Sequence, residues 1–460
     1  MNTLNEKIGR YRWTICSLLF FATTVNYLDR QVLSLLQPML SAEFNWSNTD
    51  YANITAVFQF TYGIVVLFAG RFIDRIGTLK GYAWSIGIWS IGAAVHAAAA
   101  GMGSAISPAL AAVGIVLPVS VAGFMVGRFV LAVGEAGNFP AAIKTVGEWF
   151  PRKERSLATG IFNSGANIGA ILAPLMTPWI AARWGWQTAF IIVGAVGFIW
   201  LIFWFVFYDS PEKMLKKGKI NQAEYNHIVS DADQPKEEIT PEKKVSWFKL
   251  LKFRQTWAFF FGKFFTDGVW WFFLFWLPSF LKAQYGMEGS KVMLPLGVLY
   301  SMTMFGSICG GWFPAWFIKK GMETYKARMT AMFFIALCPL VVLLAQTVGQ
   351  YGMWFAIVLI GIGCSAHQAW SANIYSTVSD MFPNSAVASI TGIGTMAGSL
   401  LSGVLISKIA GALFDHYEKL GDVTVGYSIV FAYCAVAYLV AWCVMKLLVP
   451  RFKPVNITLN

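Results

Sequence analysis

The chain has 460 residues, of which 57% are hydrophobic, 16% aromatic and only 13% charged, with a mean hydropathy of +0.58. A soluble domain carries about a quarter charged residues, so this length does not divide into soluble domains and the whole chain reads as a polytopic membrane protein. A net charge of +12 raises nucleic acid as a partner, but the basic residues fall in short connections between apolar runs, which excludes it.

Apolar runs predict twelve membrane spans, near 13–38, 52–70, 80–101, 111–145, 156–180, 186–208, 256–281, 292–317, 329–347, 350–378, 387–412 and 426–448. The first contains Asp29 and Arg30 and is followed by no small-residue cleavage site, so it is expected to stay as a helix. With the N-terminus inside, nearly all connecting Lys and Arg lie on the inner side; only Arg183, Lys282, Lys291 and Lys419 lie on the outer. That bias predicts both termini in the cytoplasm, and the basic charge then reports topology and attraction to anionic lipid. The six cysteines all sit in apolar runs with no C-x-x-C pair, which argues against a disulfide framework or a metal site and predicts core packing.

Residues 209–252 form the one long polar break, and they divide six spans (1–208) from six (253–460). FPRKERSLATGI from Phe150 and FPNSAVASITGI from Phe382 repeat FP and TGI in register, an offset of 232 residues. Both copies fall where an inner loop opens a helix. The expected fold is therefore all-α, twelve transmembrane helices in two pseudo-symmetric six-helix halves around a central cavity, a plan in which the site lies near the bilayer midplane. Gly160 with Ser164, and Gly165 with Gly169 and Ala173, place small residues at four-residue spacing, which permits close helix contact.

A charge near the bilayer centre costs about 2.5–3.5 kcal/mol, so intramembrane ions are candidate functional residues. Asp29 and Arg30 are neighbours, about 100° apart around a helix, and must find partners elsewhere. Arg128 and Glu135 are seven residues apart, close to two turns, so they share a face that either lines a cavity or carries a packing network. A carboxyl and a substrate anion competing for one guanidinium would couple proton binding to substrate binding. Asp29 and Glu135 suit the titrating role; Arg30 keeps its charge and offers a planar fork to a carboxylate. The pattern points to a proton-coupled carrier of a small organic anion, with protons as the coupling ion and neither cofactor nor metal.

Polar side chains extend the candidate lining. Tyr27 shares a face with Arg30, Asn163 and Asn167 are one turn apart in span five, and His367, Gln368, Trp370, Ser371 and Asn373 polarise span ten. Such amides, hydroxyls and rings suit a polyhydroxylated ligand. GRFIDRIG places Gly70 and Gly77 around Asp74 and Arg75, either as a polar turn or as a cytoplasmic gate that engages the other half when the cavity opens outward.

GRFIDRIG resembles the signature between helices two and three of the major facilitator superfamily, with Leu79 and Lys80 replacing part of its basic tail. Within that superfamily Tyr27, Asp29 and Arg30 in NYLDR, Arg128, Glu135 and Pro140 in span four, and Trp271, Phe273, Trp276 and Pro278 in WWFFLFWLPSF resemble the anion:cation symporters. EWFPRKERSLATGIFNSGANIGAILAP and SAHQAWS are most similar to bacterial hexuronate transporters, which carry glucuronate and galacturonate with protons. The resemblance implies that Arg30 and Tyr62 hold the sugar acid, that Asp29 and Glu135 carry protons with Arg128 tuning Glu135, and that Gln368 reads hydroxyls.

Three features depart from the family. Residues 98–122 make a long small-residue connection expected on the outer side, Lys263 and Asp267 add charge to span seven, and Ala166 and Asn167 stand where aldonate carriers show a Gln. The expectation is a monomeric bacterial inner-membrane symporter, not an enzyme, importing a hexuronate by alternating access. An aldonate or other carboxylate is the alternative cargo, and a transporter-like ligand sensor the alternative class.

Overall fold

The computed structural model describes residues 7–112, 114–230 and 247–455. Among them the regular elements are helices, ten of which are long and apolar enough to cross a membrane; a bent pair at 78–112 makes eleven if taken as one span. The chain is a multi-pass membrane protein. Its helices turn apolar residues outward, as Ile199, Ile202 and Phe205 do, an arrangement suited to lipid as the solvent.

A first group comprises α1 (Tyr11–Phe44), α2 (Asn48–Ile76), α3 (Thr78–His96), α4 (Ala99–Ala112), α5 (Val119–Glu135), α6 (Asn138–Trp149), α7 (Arg152–Trp184) and α8 (Trp186–Phe207). At 34 residues α1 has the length to cross but is more polar than the ten. Short helices α9 (Pro211–Lys216), α10 (Gln222–Ile228) and α11 (Trp247–Leu250) follow, and residues 231–246 of this central segment lie outside the described residues. A second group comprises α12 (Arg254–Tyr285), α13 (Met293–Lys319), α14 (Thr324–Leu337), α15 (Ala345–Gly349), α16 (Met353–Met381), α17 (Asn384–Met396), α18 (Val404–Lys419) and α19 (Val423–Leu448). A π-helical turn, Ala397–Gly403, joins α17 to α18.

The repeated FP dipeptide has one geometry in both copies. Phe150 and Phe382 are extended residues closing a helix, and Pro151 (φ −63°, ψ 152°) and Pro383 (φ −63°, ψ 151°) open the next. Proline suits that place because the first N–H groups of a helix have no intrahelical acceptor. A third proline interrupts span four. Pro140 has no N–H for the Ala136 carbonyl, and the helix breaks between α5 and α6, leaving Glu135 at the discontinuity.

The small-residue stripe holds α7 against α1. A Cβ on Gly165 would collide with the Phe20 carbonyl and one on Gly169 with the Thr24 carbonyl, whereas Gly160 faces open space and brings no helix close. The region 98–122 differs from its expectation. After α3 ends at His96 the chain turns by 92° into α4, which packs back along α5 so closely that Gly103 and Gly123 touch the carbonyls of Val119 and Ala99. Span four consequently begins at Val119, not near 111. Cysteine placement is a further correction: Cys16, Cys364 and Cys434 are buried, but Cys309, Cys338 and Cys443 are exposed. An apolar run in a membrane helix faces lipid as readily as core.

The central segment docks on the first group. Glu224 of α10 accepts from the Arg12 backbone N–H at 3.0 Å and from its guanidinium at 3.3 Å, and Arg12 also pairs with Glu154 at 2.9 Å. His227 Nε2 lies 2.9 Å from the other Glu154 oxygen.

Hydrogen bonds between the two groups, among the described residues, occupy only the middle of the bundle and the end away from the termini. The Asp415 carboxylate accepts from the backbone N–H groups of Asn48 (2.7 Å) and Thr49 (2.9 Å), the start of α2. Ser279 donates to Gln37 (2.5 Å), Lys282 to the Pro38 carbonyl (3.2 Å), Tyr51 to the Phe275 carbonyl (2.7 Å), and Lys408 to Asn53. Deeper in, Ser399 and Ser407 both donate to Gln59.

Candidate functional site

Arg30 is the centre of the best-formed polar cluster. Its Nε and Nη2 donate to a single oxygen of Glu135, Oε2, at 2.9 and 2.7 Å, and both side chains are almost wholly buried. Around the guanidinium stand four rings: Tyr27 and Tyr62 with centroids at 5.0 Å, Phe58 at 5.4 Å and Trp271 at 5.5 Å. Aromatic faces stabilise a desolvated cation through their quadrupoles, so the box keeps Arg30 charged where water is excluded. Three helices build it. Tyr27 and Arg30 lie on one face of α1, Phe58 and Tyr62 are one turn apart on α2, and Trp271 comes from α12 in the other group.

Arg128 and Glu135 are both buried, and Arg128 donates to the Arg30 backbone carbonyl at 3.3 and 3.4 Å. It thereby supports the turn of α1 that carries Arg30, while its guanidinium lies 5.5 Å from Phe58 and 5.9 Å from Phe275. The sequence placed Arg128 and Glu135 on one face; it did not show that Arg30 is the ion-pair partner. Asp29 is buried beside them, and neither of its oxygens has a hydrogen-bond donor among the described residues; the same holds for Glu135 Oε1. A carboxylate oxygen buried without a donor is costly to keep ionised, and these two side chains carry three such oxygens.

Other sequence candidates fall elsewhere. His367 accepts from or donates to the Tyr438 hydroxyl at 2.8 Å and stacks on Trp270 with centroids 5.0 Å apart, a packed position in the second group. Gln368 and Asn167 are half-buried, and Asn163 is exposed. Gly70 and Gly77 bracket the end of α2, where Gly77 takes φ +85°, a value that favours glycine, before α3 begins. Asp74 is 74% exposed and pairs with Lys144 of α6 at 3.1 Å, within the first group, and Arg75 is exposed. In this conformation the segment clamps α2 to α6.

Phe58, Phe275 and Gln59 carry parts of the site that composition did not single out, since aromatic and amide residues in apolar helices are common. Lys263 and Asp267 were visible as departures in span seven. Their spacing to Trp271, four residues at each step, was the signal that joins them to one face.

Comparison with known proteins places the chain in a family. The profile of the Major Facilitator Superfamily matches residues 19–407. The chain belongs to the major facilitator superfamily. It is a transport protein, and among its described residues no group of His, Cys, Asp or Glu could hold a metal ion. This superfamily member is 30% identical to the hexuronate transporter of Escherichia coli K12 over 453 residues, covering 96% of this chain and 95% of the other. It is 30% identical to the galacturonate transporter of Dickeya chrysanthemi over 313 residues (68% and 84%), and 26% identical to the D-galactonate transporter of Escherichia coli O6:H1 (89% and 91%). Among solved folds it is similar to a bacterial homologue of the human lysosomal transporter Spinster in an inward-facing, occupied conformation. There the TM-score is 0.72 at 17% identity, over 96% of this chain and 97% of that one.

Proposed function

We propose that this chain is a proton-coupled symporter that imports a sugar acid, a hexuronate such as glucuronate or galacturonate, across the bacterial inner membrane by alternating access. Twelve spans in two six-helix halves move about the site, α1 and the α3–α4 pair completing the ten apolar helices. The observation that carries this reading is the buried Arg30–Glu135 pair inside its aromatic box. Glu135 occupies the guanidinium with one oxygen, and a protonated Glu135 releases it. A substrate carboxylate then takes the fork with two oxygens, the stronger geometry. Proton and monoanion together add no net charge to the buried site, which favours their moving as a unit.

Asp29 is the second proton position, and Tyr27 and Tyr62 offer hydroxyls to the sugar. The bonds at the end away from the termini are the outer closure, so the conformation faces the cytoplasm, given termini inside as the charge bias implies. Relatives named for hexuronate and galacturonate support the sugar-acid class, and those named for galactonate and glucarate mark its neighbouring substrates.

The test is uptake of labelled glucuronate by protein in liposomes under a proton gradient. Arg30→Ala is expected to abolish it, and uptake at the wild-type rate would remove Arg30 from the site. Competition by galacturonate, galactonate and glucarate ranks the cargo.

A further inference from the structure

Helix α12 carries Lys263, Asp267 and Trp271 at four-residue intervals, one stripe on one face. Trp271 closes the box around Arg30. One turn further toward the start of the helix, Asp267 holds the Lys263 ammonium at 2.7 Å, with the two side chains 15% and 5% exposed. Other elements enclose the pair from several sides. Lys263 Nζ stands 4.7 Å from the centre of the Tyr375 ring on α16, and Tyr27 of α1 lies within electrostatic reach of both Lys263 and Tyr375. The π-helical turn provides the recess for the carboxylate. Asp267 lies directly against Gly398, where a Cβ would collide with it, and the next residue, Gly268, meets Ser402 just as closely.

We propose that Lys263 and Asp267 form the second polar contact of the transport cavity, receiving the hydroxyl-bearing end of the sugar acid whose carboxylate sits on Arg30. This rests on the assignment of Arg30 as the carboxylate site. The spacing fits: four residues of α12 separate the pair from Trp271, a rise of about 6 Å, comparable to the length of a six-carbon acid. The charge fits as well. An ammonium held by a carboxylate offers both donors and acceptors with no net charge, which matches hydroxyls. A second substrate carboxylate would face Asp267, so the pair selects monoanionic sugar acids against dianionic ones by repulsion. An ion pair that only packed α12 against the π-helical turn would leave the ratio of the two substrates untouched.

The experiment compares glucuronate with glucarate, which carries a carboxylate at both ends, as competitors for labelled glucuronate uptake in liposomes. Wild type is expected to prefer glucuronate at least tenfold. Asp267→Asn leaves the ammonium unopposed and narrows that preference at least tenfold; Lys263→Gln raises the KM for glucuronate about tenfold. Ratios within twofold of wild type in both variants would overturn the proposal. A measurement that needs no variant accompanies it: 1-deoxyglucuronate, which lacks the hydroxyl at the end opposite the carboxylate, should show a raised KM on the wild-type protein, and a KM equal to that of glucuronate overturns the pair's role on its own. Wild-type uptake surviving in Arg30→Ala would instead overturn the parent assignment, and this proposal with it.

Discussion

Both hydrogen bonds from Arg30 end on the same Glu135 oxygen, and that detail ranks the two competitors for the guanidinium. Two parallel bonds to two oxygens are stronger than two converging on one, so in the proposed cycle a substrate carboxylate outbids Glu135 once a proton has neutralised it. Glu135→Gln is permanently in the neutral form. It should keep counterflow exchange and lose accumulation against a gradient, as measured by paired counterflow and proton-driven uptake; accumulation at the wild-type level would exclude Glu135 from coupling. Arg30→Lys keeps charge without the fork. A hydrogen bond to a charged group is worth about 1.5–3 kcal/mol, so the KM for glucuronate should rise roughly 10- to 100-fold. Much of this cluster was legible beforehand, because Tyr27 with Arg30 and Arg128 with Glu135 follow from helical spacing alone. The exchange of partners was not: which arginine meets Glu135 depends on the register between α1 and α5, and no periodicity within one helix encodes it.

The α1–α7 contact depends on the absence of side chains at Gly165 and Gly169, each of which sits against a backbone carbonyl of α1. Gly169→Leu forces the helices apart beneath Tyr27. Overpacking of this kind costs about 1–3 kcal/mol, to be read as a lowered Tm in detergent together with a loss of uptake. The sequence signalled this stripe, and the same rule failed at Gly160, since spacing names a face without naming the helix opposite. It failed also at 98–122, where an Ala- and Gly-rich stretch read as a connection and folds as α4 against α5. At the docked central segment, burial works to raise the Glu154 carboxyl, but hydrogen bonds from Arg12 and His227 outweigh it and hold it below its ordinary value. A depressed carboxyl contributes stability above its unfolded value and loses it as pH falls through the folded one. A spin label at exposed Asn226 should therefore grow mobile in acid, and be mobile at neutral pH in Glu154→Gln. His227→Gln controls for the imidazole, and Arg12 and Glu224 are the remaining charges at the junction.

At the scale of the molecule, the hydrogen bonds between the two helix groups among the described residues are one-sided, concentrated from Gln59 to the end bearing Asp415. Losing the Asp415 acceptor removes two charge-assisted bonds at a helix N-terminus, where negative charge is also favoured by the helix dipole. Asp415→Ala should move the population by about tenfold or more toward the conformation open at that end, seen as a longer distance between spin labels at Thr49 and Lys419. An unchanged distance distribution would show that the apolar contacts alone hold the closure. The central polar break and the repeated FP carried the six-plus-six expectation; the conformation could not be read from them, because one sequence encodes every state a transporter adopts. The Asp415 contact also has an unequal susceptibility to change. Its donors are main-chain amides, present whatever residues occupy positions 48 and 49, proline apart. Drift in sequence at the start of α2 leaves these bonds intact, and only the acid on α18 can be tuned to set how long the proposed outer closure lasts.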